Sequence, residues 1–389
     1  MFLAMHISDG FLNLPVSLAG WVLTIVVVGL ALRRMGQTMD ERQAPLMGVL
    51  AAFVFAAQMI NFPVAGGTSG HLIGGMLVAA LIGPWAAVIV MTCVVGVQAL
   101  IFQDGGLVVM GFNIFNMGIL APFVGYAVYR GFTSPPGGLS DTRLWVMLRK
   151  PHGDRFLSTD ATCCVPTKPM FRLTQSRLLM QFRSISDKPS GPLSADSKGE
   201  FVGDGTGPSQ KRAHTGYAHT KFARSGLFLG AWASVEIGAL ATALEIAASG
   251  TSDFEIAVPA MLGIHALIGI GEALITVAAV GFIRQARPDL VQQARSARRP
   301  GWMAAGLVLA LMVVVFSPLA SSHPDGLERV AEDHDFLDAA EGPIVEILPD
   351  YTIPVIHNEA LTTILAGALG VLIVAGIGYV VTRVNRRAA

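Results

Sequence analysis

Several apolar runs in this chain are long enough to cross a lipid bilayer as helices, which takes about 20 residues each. Residues 16–32, 85–102 and 361–381 are three clear examples. Hydrophobic residues make up 52% of the 389 residues and charged residues only 14%, against about 25% in a typical soluble domain. The sequence therefore predicts an all-α protein that crosses a membrane several times.

The apolar runs predict about nine membrane-spanning helices, at residues 16–32, 44–62, 71–83, 85–102, 107–129, 225–248, 256–283, 302–319 and 361–381. The third and fourth share one apolar stretch that Gly83 and Pro84 interrupt, so they could form either a hairpin or one long helix. Only the hairpin places nearly all the basic loop residues on one side of the membrane, as the positive-inside rule requires. We therefore predict an N-terminus outside and a C-terminus in the cytoplasm.

Two long connections differ from the apolar runs. Residues 131–224 are rich in Pro, Ser, Gly and basic residues, and they predict a disordered cytoplasmic insertion without a role in the core chemistry, although it could bind a partner. Residues 321–359 carry ten acidic residues and three histidines on the predicted outer side. This acidic loop could concentrate cations near the surface, or it could simply be a solvated loop.

Motifs of catalysis are missing from the sequence. It contains neither GxxxxGK[ST] nor HExxH, so ATP-driven transport would need a separate ATPase subunit, and a membrane zinc protease is not indicated. A secondary permease remains an alternative, but it would need ion-coupled carboxylates within the spans, and the ionisable residues there are few. A metalloenzyme would need an open coordination position and a general base. The net charge of zero suggests no nucleic-acid partner.

The first ten residues, MFLAMHISDG, contain a Met-His pair at Met5 and His6. If Met5 is the first residue of the mature chain, its α-amine, the backbone nitrogen of His6 and Nδ1 of His6 can chelate one ion. The chelate has one five-membered and one six-membered ring, with the three nitrogens near one plane. Planar nitrogen sets of this kind suit Ni(II), Cu(II) or Co(II), and one further position stays open.

A second imidazole could fill that position. His71 follows Gly66, Gly67 and Gly70 in the stretch INFPVAGGTSGHLIGG, and glycines permit tight turns and close approach of the backbone. The predicted topology places this loop on the same outer side as the N-terminus. The alternative is a loop histidine that is hydrogen-bonded to backbone.

Four motifs together resemble the CbiM/NikM family, which are substrate-binding membrane subunits of energy-coupling factor transporters for cobalt and nickel. The motifs are MHISDGFLNLP, INFPVAGGTSGHLIGG, QDGGLVVMGFNIFNMG and HALIGIGEALIT. The acidic loop with SSHPDGLERVAE and the last two spans resemble a PDGLE-type domain. The resemblance implies that 5–130 and 225–290 form a metal-binding membrane domain, interrupted by the insertion 131–224, and that 300–389 form the PDGLE-type domain.

The resemblance also implies a function. The chain would capture Co(II) or Ni(II), as transported substrate and not as cofactor, for an ATP-driven importer in the inner membrane of a bacterium. The metal could feed cobalamin synthesis or a nickel enzyme. The implied partners are a transmembrane coupling subunit and ATPase subunits, and the chain itself is not expected to be an enzyme. The two metals cannot be separated from the sequence, because both accept the same ligands.

In the family the ligands are the N-terminal amine, the amide and imidazole of the second residue, and a histidine of the glycine-rich loop. Here they correspond to Met5, His6 and His71. The residues MFLA ahead of Met5 would convert the amine into an amide, so we predict that Met5 is the true start. Asp9 could hydrogen-bond the His6 ring, with a local turn as the alternative. Three residues at or near the outer end of the predicted fifth span could hold the glycine-rich loop, with interhelical hydrogen bonding as the alternative: Asp104, Asn113 and Asn116.

Two polar residues of the predicted span 256–283 lie on one helix face. His265 and Glu272 are two helical turns apart. Polar residues inside a span indicate a function, but hydrogen bonding between helices is favoured here over metal ligation. Small residues such as Ala52 and Ala56 permit close helix contact, either within the protein or with a coupling subunit, and internal packing is the favoured interpretation.

Overall fold

The computed structural model describes residues 6–38, 43–133, 209–286 and 301–388 of the chain. The described residues within 1–157 and 218–389 form one compact unit. The second unit, 158–217, contributes only the helical residues 209–217 to the described part. Met5 and most of the predicted insertion 131–224 lie outside the described residues.

Helices make up most of the described part of the chain. Eleven of them are α1 (Leu14–Thr38), α2 (Gln43–Gln58), α3 (Gly75–Ile82), α4 (Pro84–Val97), α5 (Met110–Ile114), α6 (Ala121–Thr133), α7 (Ser209–Ser249), α8 (Phe254–Ala286), α9 (Gly301–Val315), α10 (Gly326–Asp333) and α11 (Glu359–Ala388). Two π-helical segments, Gln98–Phe102 and Phe115–Leu120, extend α4 and join α5 to α6. Short 3₁₀ turns lie at Ser317–Leu319, Leu337–Ala339 and Pro349–Tyr351.

Seven helices of the described residues are long and apolar enough to cross a membrane. They confirm the prediction of an all-α, multi-pass protein, whereas the count of nine and the orientation are not confirmed. The two shorter apolar helices are α2, with 16 residues, and α3, with 8 residues. At 1.5 Å per residue α3 is about 12 Å long, well short of the roughly 30 Å of a hydrocarbon core. The prediction that 71–83 is a membrane span is therefore wrong.

The boundary between α3 and α4 follows from Gly83 and Pro84. Gly83 has φ 88° and ψ 159°, and its N–H caps α3 by donating to the Ala79 carbonyl at 2.9 Å. Pro84 begins α4, where its missing N–H costs no helical hydrogen bond. The apolar stretch is thus two helices in contact, but α3, with 8 residues, is too short to be the membrane-crossing first arm that the hairpin prediction requires. Another difference is at α7, which begins at Ser209 and not at 225.

The C-terminal helices pack against the N-terminal part of the protein. Both α9 and α11 lie against α2, and a Cβ at Gly48 of α2 would meet the Ala375 carbonyl oxygen of α11 at 2.8 Å. Ala52 and Ala56 of α2 are fully buried in the same core. Their burial is what the internal-packing interpretation predicts. By contrast, α1 exposes apolar side chains such as Leu14 and Val22, as expected of a helix face against lipid.

Two short strands precede the loop that contains His71. β1 (Phe62–Val64) pairs antiparallel with β2 (Thr68–Gly70) in the register Phe62↔Gly70, Pro63↔Ser69 and Val64↔Thr68. Gly66 and Gly67 turn the chain with φ 88° and 72°, a conformation that glycine adopts without a steric penalty. The glycine-rich stretch is therefore an ordered hairpin. A loop follows it and ends at Gly74, the residue before α3.

Candidate metal centre

His6 is buried beside Asp104, 98 residues away in the sequence. Nδ1 of His6 lies 2.9 Å from Oδ1 of Asp104, and the Tyr351 hydroxyl donates to Oδ2 of Asp104 at 2.9 Å. Burial alone would raise the pKa of Asp104, but the charge of His6 and the hydrogen bonds from His6 and Tyr351 outweigh it and hold the pKa below its usual value. The carboxylate is therefore ionised at neutral pH.

The ionised carboxylate fixes which nitrogen of His6 carries the hydrogen. A carboxylate can only accept hydrogen bonds, so Nδ1 of His6 donates to Asp104. In a neutral imidazole the other nitrogen then holds a lone pair. Nε2 of His6 is buried and has no hydrogen-bond partner, so it is the nitrogen at which a metal ion could replace the proton of a charged ring or meet the lone pair of a neutral one.

His71 brings a second imidazole to the same place. The ring centroids of His6 and His71 lie 5.6 Å apart with an interplanar angle of 51°. Nε2 of His71 is also buried without a hydrogen-bond partner. Burial, followed by the nearby charge of His6, lowers the pKa of His71 to about 3. The imidazole is therefore neutral at pH 7, as a metal ligand must be.

The two imidazoles line a cavity of about 80 Å³. Other polar side chains in its wall are Asn113, Asn116, Thr242, His265 and Asp325. Organic ligands usually occupy pockets of roughly 300–1,000 Å³. The cavity is too small for such a ligand, and its size suits a single ion with little or no bound water.

Asp9 shapes the segment that presents His6. Its carboxylate accepts hydrogen bonds from the backbone N–H groups of Leu107, Val108 and Val109, at 2.9, 2.9 and 3.2 Å. Gly106 packs so closely on Asp9 that a Cβ there would overlap the carboxylate. The hydrogen bond to the His6 ring that the sequence suggested for Asp9 is made by Asp104 instead. Asp9 therefore supports His6 through the backbone of a neighbouring loop.

Asn113 fixes the residue that follows His6. Its Oδ1 accepts from the Ile7 N–H at 3.0 Å, and its Nδ2 donates to the Ile7 carbonyl at 3.0 Å. The backbone of Ile7 is thus held like one residue of a β-strand. Asn113 and Asp104 thus bond to the N-terminal segment, at Ile7 and at His6, and the expectation that they hold the glycine-rich loop stays a prediction.

Asn116 connects two helical segments. Its Nδ2 donates to Thr242 Oγ1 at 3.2 Å and to Glu245 Oε2 at 2.9 Å, both on α7. This is the interhelical hydrogen bonding that the sequence left as the alternative to holding the glycine-rich loop. Its Oδ1 is buried without a partner, although the residue lines the cavity.

The His71 loop is held by residues for which the sequence predicted no such role. Glu272 of α8 accepts from the backbone N–H groups of Ile73 at 2.7 Å and Gly74 at 3.1 Å. Ser69 of β2 donates its backbone N–H to the Pro324 carbonyl at 2.8 Å. His265 bonds through Nδ1 with the Met261 carbonyl at 2.8 Å. The sequence singled out Glu272 as a polar residue inside a span but gave no sign of its partners.

The predicted chelate depends on Met5, which lies outside the described residues, so it stays a prediction. Within 6–38, 43–133, 209–286 and 301–388, no three His, Cys, Asp or Glu side chains form a metal-binding group. The chelate does not require one, because it takes three nitrogens from Met5 and His6 and a fourth from His71. It does require Nδ1 of His6, which here bonds to Asp104.

Comparison with known proteins places these residues in two known families. The family described as cobalt uptake substrate-specific transmembrane region, CbiM, matches residues 6–148 and 211–290. The PDGLE domain matches residues 300–387. The first match contains His6, His71 and all four polar residues that support the site, and the second contains Tyr351.

Individual relatives agree with these matches. A protein of Archaeoglobus fulgidus that is named as a fused nickel transport protein, NikMN, is 29% identical over 99% of this chain and 100% of its own length. The fused nickel transport protein NikMN of Rhodobacter capsulatus is 36% identical over 32% of this chain and 36% of its own length. The crystal structure of a truncated transition metal transporter covers 72% of this chain and 99% of its own, with 25% identity and a TM-score of 0.45.

Proposed function

The chain belongs to the CbiM family of cobalt uptake transmembrane proteins and carries a C-terminal PDGLE domain, and we propose that it is the substrate-capture subunit of an ATP-driven Co(II) or Ni(II) importer. It is a multi-pass membrane protein of metal transport and not an enzyme. What we propose in addition is which residues bind the metal, which subunits are the partners, and that ATP supplies the energy.

One observation carries the proposal. Two imidazoles, His6 and His71, each have a buried Nε2 without a hydrogen-bond partner, and both line one cavity of about 80 Å³. Buried polar atoms without partners are uncommon in proteins. A divalent cation between the rings would satisfy them, and imidazole is a good ligand for nickel and cobalt.

We further propose that, with Met5 as the first residue, its α-amine and the backbone nitrogen of His6 complete the ligand set together with Nδ1 of His6, which in that chelate takes the place of Nε2. If Nδ1 of His6 is the ligand, the ion replaces the hydrogen bond to Asp104, and the carboxylate then lies beside the ion. Whether Nδ1 or Nε2 of His6 is the ligand, the negative charge of Asp104 stabilises a divalent cation in a buried site, where charge interactions are strong.

The proposed partners are a transmembrane coupling subunit and ATPase subunits in the inner membrane of a bacterium. Two features support them: the sequence has no GxxxxGK[ST] motif, and two carboxylates of the spans, Glu245 and Glu272, have structural partners. Glu245 accepts from Asn116, and Glu272 accepts from the loop that follows His71. Metal uptake by the chain in vesicles, with and without the ATPase subunits, separates this importer from a secondary permease.

The ligand proposal is tested by calorimetric titration of the purified full-length chain with NiCl₂ and CoCl₂. His71→Ala and His6→Ala are each expected to lower the affinity at least 100-fold, because each removes an imidazole from the ion. His334→Ala is the matched control, since His334 is exposed at the end of α10. Wild-type affinity in His71→Ala would contradict the proposed site.

The N-terminal nitrogens need a separate test. Mass spectrometry of the N-terminal peptide, after expression from the native upstream DNA, shows whether the mature chain begins at Met5. If it does, adding one residue before Met5 should abolish tight binding, because an amide replaces the amine. A mature chain that keeps MFLA and still binds Ni(II) tightly would contradict the chelate while leaving His6 and His71 as ligands.

A further inference from the structure

Residues 317–358, which we call the outer segment, connect α9 to α11 and bond to each loop that carries a residue of the candidate metal centre. The Glu341 N–H donates to the Asp9 carbonyl at 2.6 Å in the N-terminal segment. The Ser69 N–H, two residues before His71, donates to the Pro324 carbonyl at 2.8 Å. The Leu348 N–H donates to the Ile101 carbonyl at 3.0 Å, three residues before Asp104. The segment therefore forms one wall of the site.

Two glycines allow this close fit. A Cβ at Gly10 would overlap the Ala339 carbonyl oxygen, and Gly10 has φ 90°. A Cβ at Gly326 would lie 2.7 Å from Cε1 of His265, a ring that lines the metal cavity. Backbone of the outer segment thus touches the centre directly, which only the absence of a side chain permits.

Tyr351 is the side chain by which the outer segment reaches the centre. It is buried, and its ring stacks on Phe102 at a centroid distance of 4.6 Å and an angle of 14°. Its hydroxyl donates to Oδ2 of Asp104, while Oδ1 of the same carboxylate accepts from His6. One carboxylate therefore links the outer segment to a proposed metal ligand.

The backbone at Tyr351 is strained. Asp350 and Tyr351 have φ values of 50° and 55°, a left-handed conformation that is uncommon for residues other than glycine. Strained backbone persists where the surrounding contacts determine it, and such positions cluster at functional sites. The stacking on Phe102 and the hydrogen bond to Asp104 are the contacts that hold Tyr351 here.

We propose that Tyr351 is a positioning residue of the metal site: its hydroxyl holds the Asp104 carboxylate beside His6, so that the negative charge of Asp104 lies next to the bound ion whichever nitrogen of His6 is the ligand. This inference rests on the proposed function. With donors on both oxygens the carboxylate cannot turn about its Cβ–Cγ bond. Hydrogen-bond partners of this kind typically contribute 10–100-fold to metal affinity.

The test uses the purified full-length chain and NiCl₂ titration. Tyr351→Phe removes the hydroxyl and keeps the stacked ring, so we expect an affinity loss of about tenfold. Asp104→Asn should lose more, because it also removes the charge. The double variant should bind as Asp104→Asn does, because Tyr351 acts through that carboxylate. Tyr379→Phe is the matched control on α11, where the hydroxyl accepts only a hydrogen bond from Arg383 among the described residues.

Two readouts separate positioning from general stability. The absorption bands of bound Co(II) report ligand geometry, and we expect them to shift in Tyr351→Phe and not in Tyr379→Phe. Unchanged Ni(II) affinity in Tyr351→Phe would overturn the inference. Unshifted Co(II) bands together with a lower melting midpoint in Tyr351→Phe would also overturn it. So would a double variant whose loss of Ni(II) affinity equals the product of the two single losses. If Tyr351→Phe gives one of these outcomes while the unaltered chain binds Ni(II) and His71→Ala does not, the inference alone fails. If the unaltered chain fails to bind Ni(II), the proposed function fails as well.

Discussion

The two imidazoles of the proposed metal centre are positioned in different ways. The ring of His6 is itself hydrogen-bonded, through Nδ1 to Asp104. The loop of His71 is held through its backbone, by Glu272 at Ile73 and Gly74 and by the outer segment at Ser69. One region therefore fixes the direction of a ring, and the other fixes the place of a loop.

The difference has a consequence for how an ion is bound. A ring held by a carboxylate presents its nitrogen in one direction before the ion arrives, so little freedom is lost on binding. A ring on a fixed loop can still turn about its own side-chain bonds. We interpret the His6 region as the rigid side of the site and the His71 loop as the side that adapts. Variants on the two sides should therefore have different effects on Ni(II) affinity and on stability.

The largest effect is expected for Asp9→Ala on the His6 side. The variant leaves the N–H groups of Leu107, Val108 and Val109 without their acceptor. Because hydrogen bonds to charged groups contribute about 1.5–3 kcal/mol each, we expect unfolding to become easier by about 3 kcal/mol or more. Ni(II) affinity should fall about 100-fold, since the loop and His6 shift together. Denaturation in detergent and calorimetry measure the two quantities.

Asp338→Ala provides the control for Asp9→Ala, because it removes an exposed carboxylate of the outer segment. It should leave both stability and affinity near their wild-type values. If Asp9→Ala kept wild-type Ni(II) affinity, the His6 region would not be the rigid side of the site. The proposed difference between a rigid His6 region and an adaptable His71 loop would then be wrong.

The sequence alone predicted the helices well and the partners of the ligands poorly. Apolar runs identify most of the spans because membrane crossing sets a length and a composition. The same signal failed at 71–83, because the apolar run there includes loop residues as well as helix. The loop ends at Gly74, which has φ 77° and caps the start of α3. Apolar residues at the outer edge of a membrane protein can be buried in loops as well as in helices, so hydropathy could not separate the two.

The hydrogen bonds of the centre have no local pattern to find. Asp104 lies 98 residues from His6 and 247 residues from Tyr351. Spacing along the chain predicts contacts within one helix or hairpin, but these contacts depend on how separate elements pack. The sequence could therefore place Asp104 near the site as a polar residue at a helix end, without showing which ring it would meet.

A smaller effect is expected for Glu272→Gln on the His71 side. The carboxylate accepts from two N–H groups, and an amide offers one oxygen and one NH₂ group. One backbone N–H at Ile73 or Gly74 is therefore left facing a donor, at a cost of about 1–3 kcal/mol for an unsatisfied buried group. We expect a Ni(II) affinity loss of about fivefold to tenfold, because the His71 ring can partly compensate for a shifted loop. Calorimetry measures it.

Glu255→Gln is the matched control, since Glu255 is exposed in the first turn of the same helix. It should change the affinity by less than about twofold. A loss in Glu272→Gln as large as the loss in Asp9→Ala would show that the His71 loop is as rigid as the His6 region. The interpretation that one side adapts would then be wrong.

The smallest effect on binding is expected for Gly66→Ala at the turn of the hairpin. Gly66 has φ 88° and open space around it, so alanine meets no atom but adopts an unfavourable backbone conformation, at about 1 kcal/mol. The unfolding midpoint should fall slightly, while Ni(II) affinity changes less than about twofold, because Glu272 and Ser69 hold the loop closer to His71. Gly131→Ala is the control: it lies in α6 with open space, where alanine favours the helix by about 0.5–1 kcal/mol. If Gly66→Ala lowers and Gly131→Ala raises the stability while both keep the Ni(II) affinity, the hairpin turn has a structural role alone. A tenfold affinity loss in Gly66→Ala would show instead that the turn helps to determine the position of His71.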